Sequence, residues 1–293
     1  MKVAFIFTGQ GSQQVNMGFD FYQQIPLAKK LFDEFPEVRD RCFNGEELDN
    51  TRYTQACLFL TNYIISKQIE IKPDYVLGLS LGEYNALCFA NSFDYKTGVE
   101  LVKKRGAIMA DSLSEDTCMY AIIKNNEMIP EVLKENDGVC EISNYNSYNQ
   151  TIISGEKDAT KAAAAKLKEL GSRCIPLKVS GAFHTSLLNE ASIKLNEVLK
   201  LKDIKEPSIP VVYNYSGSEE SLGVVENLTK QICNPVKFVQ SLEYLHEHGV
   251  DTIIEIGVGN VISKLVKQTL KDVKVYNCGS VMELIELESN IYE

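Results

Sequence analysis

The chain has 293 residues, room for one or two domains at ~150 residues each. Hydrophobic residues make up 44% and charged residues 24%, a globular balance that sets aside disorder, collagen-like repeats and coiled coil as the main state. Thirty basic against 40 acidic side chains leave a net charge of −10, which repels duplex DNA and anionic membranes, so neither is expected as a partner.

Met1 to Phe7 turns from charged to apolar and stops at Thr8-Gly9, too short for a signal-peptide core. No run approaches the ~20 apolar residues that span a bilayer, and a cytoplasmic protein is expected. Val3 to Phe7 reads as a buried parallel strand, ended by Gly9-Gln10-Gly11. Helices are predicted over 16–35 and 54–69, a second buried strand over 74–78, and helices over 81–90 and 97–110. The last of these carries Lys103, Lys104 and Arg105.

Between about 117 and 180 the pattern changes. A strand is predicted over 119–123, a short helix over 127–136, and a strand pair over 139–145 and 150–154 across a turn at 145–149. An Ala-rich helix follows, capped by Asp158 and stopped at Gly171, and then a strand over 173–179. That βαββαβ order is ferredoxin-like. An α/β pattern then resumes: helix 186–201, strand 209–213, helix 236–246, strand 251–256, helix 261–270 and an edge strand over 274–278. The expected fold is α/β, a large domain with a parallel sheet over 1–116 and 185–293, interrupted by a ferredoxin-like α+β subdomain over 117–184. A cleft between two such units is a natural place for a site.

Several motif readings fail. Gly9-Gln10-Gly11 has Gln14 where a dinucleotide loop needs its third glycine, and no phosphate-loop signature exists. The eight cysteines are scattered without a CxxC, so they read as buried thiols and no metal site is expected. His246 and His248 lie two apart on a helix, where their rings diverge into solvent.

The informative motif is Gly78-Leu79-Ser80-Leu81-Gly82, between a predicted strand and a predicted helix. In that context GxSxG makes a nucleophile elbow, a turn sharp enough to need small neighbours and to push a serine Oγ out at a helix N-terminus. A glycine-softened turn with an idle serine is the alternative. A serine hydroxyl needs a base, and His184, in Ser180-Gly181-Ala182-Phe183-His184, is the candidate among three histidines. Read alone, it could equally be a structural histidine.

These residues belong to a longer series. Phe7-Thr8-Gly9-Gln10-Gly11-Ser12-Gln13 opens it. Residues 78–84, Lys104-Arg105-Gly106 with Met109, Asn144-Tyr145-Asn146-Ser147 and Gly181 to His184 continue it. Gln231 to Val236 and Glu255 to Gly259 close it. In this order and spacing, over nearly the whole chain, the series resembles malonyl-CoA:acyl carrier protein transacylases and the related acyltransferases that load polyketide synthases.

The resemblance implies a hydrolase-like α/β domain with a ferredoxin-like subdomain, and ping-pong acyl transfer through a malonyl-serine. Ser80 would be the nucleophile and His184 its base. The backbone N–H groups of Gln10 and Leu81 would form the oxyanion hole, and the backbone carbonyl of Gln231 would orient His184. Arg105 would grip the malonyl carboxylate with two parallel hydrogen bonds, and Asn146 would line the cleft. Without the resemblance, Arg105 reads as one of three exposed helix cations.

Malonyl-CoA and an acyl carrier protein are the implied partners, with coenzyme A thioester as substrate, no cofactor, and a monomer as the family's habit. Lys103, Lys104, Lys264, Lys267 and Lys271 are candidate contacts for an acidic carrier protein, or simply solvated helix faces. The chain departs from the family pattern at Leu79, where histidine is usual, and at Thr8, where proline is common. Phe183 is bulky enough to crowd an α-methyl group. Three alternatives remain at this point: an acyl hydrolase of the same family, a generic serine esterase, and a scaffold without turnover.

Overall fold

The structure, a computed structural model, describes residues 1–112, 114–178, 181–220 and 222–291. The first part of the chain runs β1 (Val3–Phe7), α1 (Phe19–Gln24), α2 (Pro26–Asp33), α3 (Pro36–Asn44), α4 (Thr51–Ser66), β2 (Tyr75–Gly78), α5 (Gly82–Phe89) and α6 (Tyr95–Asp111). All five side chains of β1 are buried, so helices must cover both faces of its sheet. Val3, Phe5 and Phe7 pack to one side with Phe21, Phe32 and Phe59. Ala4 and Ile6 pack to the other with Leu77, Phe238 and Ile262.

Next come β3 (Thr117–Ile123), α7 (Ile129–Lys134), β4 (Cys140–Ser147), β5 (Gln150–Glu156), α8 (Lys157–Glu169) and β6 (Arg173–Pro176). They make an antiparallel sheet of order β4-β5-β3-β6, the ferredoxin-like arrangement. The chain then continues through α9 (Asn189–Lys200), β7 (Val211–Val212), α10 (Val224–Gln231), α11 (Phe238–Glu247), β8 (Thr252–Ile256), α12 (Val261–Thr269), β9 (Lys274–Cys278) and α13 (Val281–Asn290). These strands join the first two in a parallel sheet of order β7-β2-β1-β8-β9. The carboxyl ends of β1 and β2 therefore lie side by side, with the Gly9-Gln10-Gly11 turn and Ser80 at one rim.

The structure corrects several local expectations. The helix predicted over 16–35 is two helices, because Pro26 has no N–H to continue α1 and holds Ile25 extended at φ −119. Asp158 is not a cap. The helix starts earlier, at Lys157, and Glu156 at its N-cap bonds the Val139 N–H instead of the helix (2.9 Å). Its predicted stop does hold, since Gly171 (φ 96) and Ser172 donate back into the last turn.

The turn expected over 145–149 is shorter, with β4 running on to Ser147. Two register shifts let β4 pair with Val236 as well, through Tyr145 N–H to Val236 O and Val236 N–H to Ser143 O (both 2.9 Å). This bridge ties the antiparallel sheet to the segment after α10. The strand expected over 173–179 ends at Pro176, and Val179 and Ser180 lie outside the described residues. Strand 209–213 shortens to Val211–Val212 behind Pro210. All eight cysteines are free, five of them buried and Cys118, Cys174 and Cys233 half-buried. No described helix is long and apolar enough to cross a membrane.

Candidate active site

β2 ends at Gly78 and α5 begins at Gly82, so three residues reverse the chain. The glycines are sterically required. A Cβ on Gly78 would lie 1.8 Å from the Gly82 carbonyl carbon, and one on Gly82 would lie 2.2 Å from Phe7 O. Between them Ser80 sits at φ 52, a left-handed conformation that costs a serine ~1–3 kcal/mol. Surrounding hydrogen bonds hold it there. Ser80 N–H donates to Asn214 Oδ1 (2.7 Å), and Ser80 O accepts from Gln231 Nε2 (2.9 Å) and Glu83 N–H (3.1 Å).

His184 also has a left-handed backbone, φ 58, pinned by its N–H to Ile232 O (3.1 Å). Its Nε2 lies 2.7 Å from Ser80 Oγ and its Nδ1 lies 2.8 Å from Gln231 O. A carbonyl can only accept, so Nδ1 carries the proton and Nε2 offers its lone pair to the serine hydroxyl. Burial, and then the Arg105 charge, push the imidazole down to about 4, so it is neutral at neutral pH. A backbone carbonyl thus stands where a protease-type triad has a carboxylate.

Arg105 is 1% exposed, not a surface cation. One guanidinium nitrogen donates to Gln55 Oε1 (2.8 Å); the other donates to Gln231 Oε1 (3.0 Å) and Ser80 Oγ (3.1 Å). The ring of Tyr84 lies 5.4 Å from its carbon. These hydrogen-bond partners are neutral, and the nearby Glu83 carboxyl that acts on the guanidinium charge is itself pushed up to about 7 by burial, whereas a buried charge is ordinarily matched by an ionised opposite. The site therefore holds a desolvated cation within reach of the serine oxygen, an arrangement suited to an anionic group on the molecule being attacked.

The Gln10 and Leu81 backbone N–H groups have no acceptor among the described residues. Gln10 is anchored by its side chain to Thr51 Oγ1 (2.9 Å). Gln10, Ser80, Arg105, Asn146, Phe183 and His184 all line one cavity of about 340 Å³. Leu81 is buried behind it and Gln231 supports it from α10. Asn146 Nδ2 donates to Gln150 Oε1 (3.0 Å). Leu79 lines the same cavity and packs with the apolar residues under the sheet. Thr8 is buried and exchanges contacts with Asn62, whose Nδ2 donates to Thr8 O (3.0 Å).

Of the groups that meet the serine, sequence reasoning assigned no role to Asn214 or Glu83, and none to Gln55, which holds Arg105. Glu83 stands inside the GxSxG motif's extension and had a signal. Asn214 follows a two-residue strand and Gln55 lies mid-helix, so neither had one. His246 and His248 are exposed, the latter stacked on Tyr244 at 3.9 Å. Lys103 pairs with Glu37, and Lys104, Lys264, Lys267 and Lys271 are exposed. Among the described residues no three His, Cys, Asp or Glu side chains gather as a metal site needs.

Comparison with known proteins places the chain in a family. Residues 4–286 match the acyl transferase domain family. The chain is 38% identical to a malonyl CoA-acyl carrier protein transacylase of Bacillus subtilis, over 98% of this chain and 96% of that protein. The crystal structure of a malonyl CoA-acyl carrier protein transacylase from Clostridium perfringens superposes with a TM-score of 0.95 at 35% identity, covering 100% of this chain and 98% of that one. A malonyl-transacylase solved in complex with its type II PKS acyl-carrier protein gives 0.94 at 32% identity, covering 99% and 100%.

Proposed function

The chain belongs to the acyl transferase domain family, and on that premise we propose that it moves a malonyl group from coenzyme A to the thiol of an acyl carrier protein. The names of its relatives supply the acyl group and the carrier. The observation that carries the choice of a carboxylated acyl group is Arg105, a buried cation hydrogen-bonded only to neutral side chains, 3.1 Å from Ser80 Oγ.

The reaction runs in two halves. The malonyl carboxylate pairs with the Arg105 guanidinium, which sets the thioester carbonyl against Ser80. His184 Nε2 takes the hydroxyl proton as Oγ bonds to the carbonyl carbon. The oxyanion forms between Gln10 N–H and Leu81 N–H, donors of a kind each worth roughly 3–4 kcal/mol to a transition state. The carbon–sulfur bond then breaks, and the proton held on His184 passes to the coenzyme A sulfur. In the second half the carrier's thiol gives its proton to His184 and attacks malonyl-Ser80, and Ser80 Oγ takes the proton back. Gln231 O steadies the transient imidazolium through Nδ1–H. No step uses a resident cofactor, and the coenzyme A thioester is a substrate.

Intact-mass analysis after exposure to malonyl-CoA, and separately to acetyl-CoA, tests this reading. A malonyl adduct on the wild type that is absent from Ser80→Ala, and is discharged by holo carrier protein, is the expected result. Equal labelling by acetyl and malonyl groups would remove the role given to Arg105. Rapid release of free malonate without a carrier would make the protein a hydrolase.

A further inference from the structure

The parallel sheet loses its partners where the elbow leaves it. β2 pairs with β7 only as far as Leu77 and Val212, yet the Gly78 C=O and Ser80 N–H beyond that point are not left bare. The side chain of Asn214 takes both, donating Nδ2 to Gly78 O (2.6 Å) and accepting the Ser80 N–H at Oδ1 (2.7 Å). Asn214 is itself fixed, since its backbone N–H donates to Glu83 Oε2 (2.6 Å). Both side chains are fully buried, and the second carboxyl oxygen of Glu83 has no hydrogen-bond partner. Burial alone disfavours such a group, so its presence asks for a reason beyond packing.

We infer that Asn214, held by Glu83, is a positioning residue that keeps Ser80 in its left-handed conformation during acyl transfer. Asn214 grips the amide before the Ser80 Cα, and Gln231 Nε2 with Glu83 N–H grips the carbonyl after it. Together they fix both torsions of that residue. Because the peptide is planar, a fixed Ser80 C=O also fixes the direction of the Leu81 N–H, the expected oxyanion donor. Without the Asn214 clamp, the serine can relax to an ordinary negative φ, which swings Oγ away from His184 and tilts the Leu81 N–H.

This inference rests on the malonyl-serine reading, and single-turnover acylation by malonyl-CoA separates the two. If wild-type protein forms no malonyl adduct, the reading itself fails. If it does, Asn214→Ala should acylate about 10–100-fold more slowly while burst amplitude and KM for malonyl-CoA stay within about twofold, since misplacement by ~1 Å costs on that order. Glu83→Ala should show a smaller loss of the same kind. Glu83→Gln, which keeps an acceptor for the Asn214 N–H, should restore the rate to within about threefold of wild type. If Asn214→Ala does not fold, Asn214→Asp, of the same size but with a carboxylate oxygen in place of the donor to Gly78 O, gives the same readout. A wild-type rate constant in the asparagine variant, or a loss confined to burst amplitude with the rate unchanged, overturns the inference. The second outcome would make the clamp a folding element only.

Discussion

The parallel and antiparallel sheets both face the cavity, and they bring different things to it. The parallel side supplies Ser80 and His184, both at positive φ, and Arg105, a buried charge hydrogen-bonded only to neutral side chains. Their polar atoms are bonded to one another and to Gln55, Asn214 and Gln231. The antiparallel sheet supplies Met119, Ala121 and Ile152, with Asn146 beside them, none with a positive φ. One wall is strained and preorganised; the other is an ordinary strand surface shaped to a substrate. Preorganised groups act on the transition state, so changes there should alter rates by orders of magnitude. Changes to the shaped wall should alter which acyl group is accepted, by small factors.

The strongest test of this contrast is at the elbow. Ser80→Ala should lower malonyl transfer by about 10⁴-fold or more, measured as carrier-protein loading. Ser80→Gly should be equally inactive yet more stable by ~1 kcal/mol in denaturant unfolding, because glycine adopts φ 52 without a steric penalty. If the glycine variant is no more stable than the alanine variant, the elbow stores no strain and the contrast loses its energetic basis.

Arg105 comes next. Arg105→Ala should reduce malonyl labelling of Ser80 by about 100-fold, the loss of a charge-assisted bidentate pair, while acetyl labelling persists. Arg105→Lys should restore only part of the preference, because an ammonium cannot reach Gln55, Gln231 and a carboxylate in one plane. Competition between malonyl-CoA and acetyl-CoA in one tube measures the ratio directly. An unchanged ratio in Arg105→Ala would move the specificity to the other wall.

A third test uses pH. His184 must be neutral to accept the serine proton, and burial with the Arg105 charge holds it at about 4. Above that value the base is ready; below it the ring is protonated and the lone pair is lost. The kcat/KM for malonyl-CoA should therefore fall on acidification only near pH 4, not near the ordinary histidine value of ~6.5. In Arg105→Ala the limb should move up but stay below ~6.5, because burial is the larger cause and remains. A wild-type limb at the ordinary value would mean that water reaches the ring.

The two regions were unequally legible in the sequence. The strand Val3–Phe7 stands out because a doubly covered parallel strand is apolar throughout. The elbow stands out because only glycine survives approaches of about 2 Å. The burial of Arg105 was invisible locally, since Lys103-Lys104-Arg105 reads as a charged face. A helix turns ~100° per residue, so Lys104 is exposed while Arg105 points inward with Val102 and Met109. Asn214 lies 134 residues from the serine it clamps, and no spacing rule connects the two. Helices α3, α10 and α13 have no counterpart among the predicted elements. The family resemblance, not the residue pattern, pointed to Gln10, Leu81, Arg105, Asn146 and Gln231.

The smallest expected effect lies where the two walls meet. Phe183 stands one residue before His184, is 7% exposed, and lines the cavity in one apolar cluster with Met119, Ala121 and Ile152 of the antiparallel strands. An α-methyl on the acyl group would have to occupy space beside the thioester carbonyl, near this ring. Phe183→Val opens that space without touching a polar atom of the site. Methylmalonyl-CoA should then gain on malonyl-CoA by about tenfold in kcat/KM, since one methyl group is worth only ~1–3 kcal/mol in a pocket. The Arg105 interaction is common to both substrates and cancels in the ratio, so the preorganised wall contributes nothing to the change. If the variant instead loses both substrates equally, Phe183 positions the His184 backbone at φ 58 and belongs with the strained wall. Either result assigns the residue to one side of the comparison, by selectivity in the first case and by rate in the second.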